Sequence, residues 1–226
     1  MFTVTSYLLV LVAFVVSLAA SANVKSTYKR YSNVNNARGF TADEVARKIL
    51  DDNGLHNVRI EHIHGNLTDH YDPRDNVIRL SDAVYGQTSV AAIGVAAHEC
   101  GHAVQHSVEY TPIKIRSAII PVTQFGSQLA YPLVILGLIL GGNQLFITIG
   151  IWLYIAVVAF QLVTLPTEFD ASHRALKTLE GSGFLMPEEN KQARKVLTAA
   201  ALTYVAALFT AIVNLLRLIA ISNRKR

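Results

Sequence analysis

Long apolar runs alternate with polar stretches along this chain, and that alternation predicts most of its architecture. Residues 3 to 22 carry no charge and are long enough to cross a bilayer. Runs at 118 to 141 and 144 to 165 flank Gly141-Gly142-Asn143, which predicts a tight hairpin of two spans. A last run covers 197 to 221, with Arg217 near its end. Four spans are therefore expected. Ala20-Ser21-Ala22 looks like a signal-cleavage site. However, no Lys or Arg precedes the first run, and the positive charges follow it at Lys25, Lys29 and Arg30, so it reads as an uncleaved anchor.

The polar stretch from 40 to 116 predicts a small α+β unit. Thr41-Ala42-Asp43-Glu44 is a capping box opening a helix with Val45, Ile49 and Leu50 on one face. His56 to Ile63 reads as a strand, Tyr71 to Asn76 as a turn, and Val77-Ile78-Arg79-Leu80 as a second strand. Ser89 then caps a helix from about Val90 to His106. The expected class is an α-rich membrane protein of about four transmembrane helices plus this small α+β domain. Its segments are an anchor (1–24), the α+β region (25–116), the hairpin (117–165), a polar segment (166–196) and a C-terminal helix with a basic tail (197–226).

Composition agrees: 51% of the 226 residues are hydrophobic and 16% charged, more apolar than an ordinary soluble domain. In such a chain the net charge of +4 reports topology rather than nucleic-acid binding. Lys25, Lys29, Arg30, Lys114, Arg116, Arg174, Lys177, Arg194 and Lys195 all fall on one side, placing the polar domain in the cytoplasm of a multi-pass inner (plasma) membrane protein. Arg224, Lys225 and Arg226 fall on the other side; the conflict resolves if 197–221 lies partly along the membrane or the tail tolerates translocation. With Cys100 the sole cysteine, no intrachain disulfide can form.

The candidate chemistry is His98-Glu99-Cys100-Gly101-His102, an HExxH pattern. Four residues are about one helical turn, so both imidazoles leave one face and can bind one metal. Glu99, one step round the helix, is placed to act as general base on a zinc-activated water and to return the proton to the leaving amine. Catalytic zinc needs a third protein ligand. The metzincin extension would put Gly at 105 and His at 108, but Gln105 and Val108 stand there. His106 points about 40° away from the His102 direction. Glu168 is the better candidate: it follows the hairpin, on the same side as the motif, in Leu165-Pro166-Thr167-Glu168-Phe169-Asp170. Pro166 and the acids are helix-start signals, so Glu168 and Asp170 could alternatively only complement a helix N-terminus.

These stretches, with Tyr71-Asp72-Pro73-Arg74 and Val77 to Ser81, resemble the bacterial neutral zinc metallopeptidases of the YugP type over nearly the whole chain. The resemblance implies a zincin-like membrane zinc metalloendopeptidase (hydrolase, EC 3.4.24-like) holding one Zn²⁺ per chain through His98, His102 and Glu168. The resemblance supplies no particular substrate; a site opening at the membrane face points to membrane or membrane-proximal proteins among its protein or peptide substrates, with the lipid bilayer as a further partner and no nucleic acid. The layout is more distantly similar to HtpX-type proteases, where a glutamate ligand is followed by Ala at +3 and Asp at +4. Here Ala171 fits but Ser172 replaces the Asp, leaving Asp170 as a candidate to orient a ligand.

Val77 to Leu80 is expected either to pair with an extended substrate backbone or to be a plain core strand. Tyr71, Tyr85, His173 and Tyr204 are candidate donors to the oxyanion of the tetrahedral intermediate. His62, His64 and His70 are weak candidates for a second metal site, and Cys100 is expected to pack rather than react. An intramembrane protease is disfavoured, because the apolar stretch before His98 is only about nine residues, too short to span. The rival of a different class is a membrane scaffold or adaptor with a non-catalytic metal, which would need a fourth protein ligand.

Overall fold

The computed structural model describes residues 2–222. In chain order the elements are α1 (Phe2–Tyr31), α2 (Ala42–Asp52), β1 (Arg59–Ile63), β2 (His70–Asp72), β3 (Val77–Ser81), α3 (Val90–Ser107), α4 (Thr111–Ile139), α5 (Gln144–Ser182) and α6 (Pro187–Ser222). They fall into two compact units. One gathers the chain up to Ser21, Thr111–Pro166 and the chain from Thr203; the other gathers Ala22–Tyr110 and Thr167–Leu202. The segment read as a separate polar stretch from 166 to 196 therefore belongs mostly to the α+β unit. The basic tail, Arg224, Lys225 and Arg226, lies outside the described residues.

In the first unit, α1, α4, α5 and α6 are long and apolar enough to cross a membrane. Small residues bring α4 and α5 together: a Cβ on Gly126 would lie 2.7 Å from the Leu153 carbonyl oxygen, and one on Gly150 would lie 2.7 Å from that of Ala130. Gly141 and Gly142 take positive φ in the hairpin turn, where a side chain would be strained. Polar side chains in this unit pair with one another, as Ser17 does with Thr210 at 2.9 Å and the Tyr131 hydroxyl with Asn214 Oδ1 at 3.1 Å.

The α+β unit starts as its sequence dictates. Thr41 and Glu44 form both halves of the capping box on α2, which buries Val45, Ile49 and Leu50. The sheet order is β1-β3-β2, with β1 parallel and β2 antiparallel to β3. β2 was unexpected: His70–Asp72 leads directly into the turn formers from Pro73 on, and three residues give too short a pattern to read. Its presence corrects the substrate-strand expectation for Val77, Ile78, Arg79 and Leu80. β3 is paired along β1 from Val77 to Ser81 and along β2 from Val77 to Arg79, and Asp69 takes the Ser81 amide, so β3 has no free edge.

Ser89 caps α3 by accepting the Ala92 N–H, and almost every residue from Val90 to Ala97 is buried. Small residues let other helices approach it closely. A Cβ on Gly94 would contact Ala193 Cβ at 3.6 Å, whereas one on Gly101 would sit 2.6 Å from the Ala171 carbonyl oxygen. Backbone cannot rotate out of the way as a side chain can, so Gly101→Ala is expected to destabilise by about 1–3 kcal/mol. Thermal unfolding of the purified full-length variant checks this; an unchanged melting temperature would contradict it.

The expected helix start at Pro166 is also corrected. Pro166 lies inside α5, a helix of 39 residues that runs from the second span of the hairpin to Ser182. An internal proline forfeits one backbone hydrogen bond, which helices of membrane proteins tolerate. Glu168 and Asp170 therefore sit mid-helix, and the alternative that they only complement a helix N-terminus falls away.

Candidate metal centre

The candidate centre lies wholly within the α+β unit, between α3 and the polar part of α5. His98 and His102, one turn apart on α3, have ring centroids 4.7 Å apart. The Glu168 side chain is only 2% exposed, and its Oε2 lies 3.3 Å from His98 Nε2 and 3.5 Å from His102 Nε2. One donor atom from each of the three falls within 4.8 Å of the others. Among the described residues no other group of three His, Cys, Asp or Glu donors converges in this way.

The donor chemistry fits a divalent metal. Gln105 is fully buried, and its Nε2 donates to the Thr167 carbonyl at 2.7 Å and to Asp170 Oδ2 at 2.8 Å. Both partners are acceptors, so the amide orientation is settled and Oε1 faces His102 Nδ1 at 3.0 Å. Oε1 can only accept, which puts a proton on Nδ1 and leaves Nε2 of the neutral ring with its lone pair toward Glu168. Ser172 Oγ lies 3.1 Å from His98 Nδ1 and orients that ring, as a hydroxyl can whether it donates or accepts. Burial alone would drive a proton off His102, but the Glu168 carboxylate, helped by Glu99, outweighs it and raises its proton affinity above the ordinary histidine value.

Several expectations shift here. Ser172, thought to leave a ligand unoriented, is itself the partner of His98. Asp170 reaches His102 through Gln105, which stands where the metzincin pattern has glycine. The pairing rule that would have found both is general: a metal-binding imidazole needs a partner on its other nitrogen. Ser172→Ala and Gln105→Ala are each expected to weaken divalent-ion affinity about 10–100-fold, as measured by competition with a chelator. Affinity within twofold of wild type would contradict the assignment.

Glu99 is 8% exposed, and its Oε2 accepts the Tyr71 backbone N–H at 3.0 Å. The Tyr71 hydroxyl is spent on Asn76 Oδ1 at 3.1 Å. His173 lines a cleft that none of the three cluster residues lines. Tyr85 stacks on His62 at 5.0 Å, and Tyr204 belongs to the other unit. His106 is exposed and lies edge-on to Tyr71. His62 and His64 share only Asp82, while His70 bonds the Thr68 carbonyl. Cys100 is fully buried with its thiol toward the Ala46 carbonyl, and burial pushes its pKa up, away from thiolate chemistry.

Residues 6–223 match the model of the family described as "Putative neutral zinc metallopeptidase". A relative, "Putative membrane protease YugP" of Bacillus subtilis (strain 168), is 47% identical over 213 residues, covering 94% of this chain and 94% of its own. No solved structure matches the chain.

Proposed function

Because the chain belongs to the neutral zinc metallopeptidase family, we propose that it is a membrane-bound zincin-like endopeptidase whose HExxH residue Glu99 is the general base. His98, His102 and Glu168 are its zinc ligands in this reading. The observation that carries it is the convergence of their donor atoms within 4.8 Å, with both Nδ1 atoms tied away. Zinc held there supplies a water of lowered pKa and polarises the scissile carbonyl. The chain's own residues do the rest. Glu99 takes the water's proton and delivers it to the leaving amine, and the Tyr71 N–H holds the carboxylate in place until then. β2, an edge strand of the sheet and a neighbour of α3, is the strand that presents this N–H to Glu99.

A closed structural site would need a fourth protein ligand, and no fourth His, Cys, Asp or Glu joins the cluster among the described residues. That favours an enzyme over a scaffold or adaptor. The basic residues on the motif's side argue for a multi-pass inner-membrane protein with a cytoplasmic site, and membrane or membrane-proximal proteins follow as substrates.

Inverted vesicles carrying the full chain are expected to cleave added casein, to stop on treatment with phenanthroline and to resume once zinc is restored. Right-side-out vesicles should leave casein intact. Because the His102 proton must leave before metal enters, zinc reloading should weaken as pH falls. Cleavage that survives removal of all zinc would rule the reading out.

A further inference from the structure

We propose that the cleft between α2, α3 and α5 is a binding site for a phosphate-type oxyanion, distinct from the metal cluster. The cleft, open to solvent, has a volume of about 470 Å³ and is lined on α5 by Asp170, His173, Arg174, Lys177 and Thr178, with Asn53, the C-cap of α2, also in its lining. A water molecule's share of liquid is about 30 Å³, so the space admits a phosphate group together with something attached to it.

Its charges point to an anion. Asp170 is the one acid in the lining, and its Oδ2 is already engaged by Arg174 Nε and Gln105 Nε2. That pairing neutralises Arg174 without using its terminal amino groups, since only Nε is hydrogen-bonded among the described residues. The guanidinium is also held over the Tyr110 ring, at 5.8 Å from its centroid. It is thus a fixed fork of donors of the kind that suits phosphate. Lys177 follows at i+3 on the same helical face, a spacing at which two cations repel. Lys177 and His173 are exposed side chains at the rim of the cleft, and neither has a hydrogen-bond or ionic partner among the described residues. A bound oxyanion relieves the repulsion between Arg174 and Lys177 and gives all three side chains an acceptor.

The chemistry is shared by free phosphate and by a phospholipid headgroup, and competition separates them. Full-length, zinc-loaded protein in neutral-lipid nanodiscs is dialysed against radiolabelled orthophosphate. Saturable binding at millimolar phosphate is expected, with affinity falling about tenfold in Lys177→Gln and in His173→Gln, as loss of one charge-assisted hydrogen bond implies. Zinc content should be unchanged in both variants, which shows that they are folded. Displacement by soluble dihexanoyl phosphatidic acid, at concentrations where dihexanoyl phosphatidylcholine has no effect, assigns the site to lipid headgroups; failure of the acid to compete assigns it to free phosphate. Phosphate held at the metal would bind both variants as tightly as wild type. That result, or the absence of saturable binding, overturns the proposal.

Discussion

Glu99→Gln is expected to lower peptide hydrolysis about a thousandfold or more while leaving zinc content unchanged, since a positioned general base contributes about 10²–10⁴. The substitution is nearly isosteric, and the carboxamide oxygen can still accept the Tyr71 N–H that the carboxylate accepts now, so the local backbone has no reason to move. What disappears is the ability to take a proton. The side chain is 8% exposed, and a neutral amide there avoids the cost of a buried charge, so the variant should be no less stable than wild type. A quenched fluorescent peptide assay run beside elemental analysis reads both quantities. Wild-type turnover in the zinc-loaded variant would remove Glu99 from the mechanism, and an adaptor would keep whatever activity it has.

Glu168→Ala is expected to strip the protein of zinc. Loss of an outer partner of a metal ligand costs about 10–100-fold in affinity, and loss of a ligand itself should exceed that. The carboxylate is 2% exposed and lies within 3.5 Å of both imidazole Nε2 atoms, so nothing from solvent replaces it easily. The sharpest reading is thermal. A ligand that binds only the folded state raises stability with concentration, by about 2.7 kcal/mol at a hundred times Kd. Added zinc should therefore raise the melting temperature of metal-depleted wild type and leave that of the variant where it was. Stoichiometric zinc in purified Glu168→Ala would dissolve the proposed centre.

Much of this was legible in the chain because it is written locally. A capping box occupies four consecutive residues, a span is a run of apolar ones, and two histidines a turn apart need only a helix beneath them. What escaped depends on distant partners. β2 is three residues long and exists because Val77–Arg79 lies beside it, a pairing no pattern of its own announces. α5 continues through Pro166, against the local tendency of proline to begin helices, and five residues on Ala171 packs against Gly101, a contact between residues 70 apart that no local pattern announces. Gln105 and Ser172 look like ordinary polar residues until the imidazoles they hold are known. The charge-rich 166–196 stretch was visible, but its membership in the α+β unit was not, because 56 residues of the other unit intervene between Tyr110 and Thr167.

That interruption has a consequence for biogenesis. The two histidine donors are translated before the hairpin and the glutamate donor after it. On the proposed ligand set, a nascent chain that has emerged only as far as the first hairpin helix would own half a tetrahedral site and no hydrolytic power. Glu168 is made only after the first hairpin helix and the apolar part of the second, so on the proposed ligand set the chain would be inert toward itself and toward its insertion machinery until that stage of its own maturation has passed.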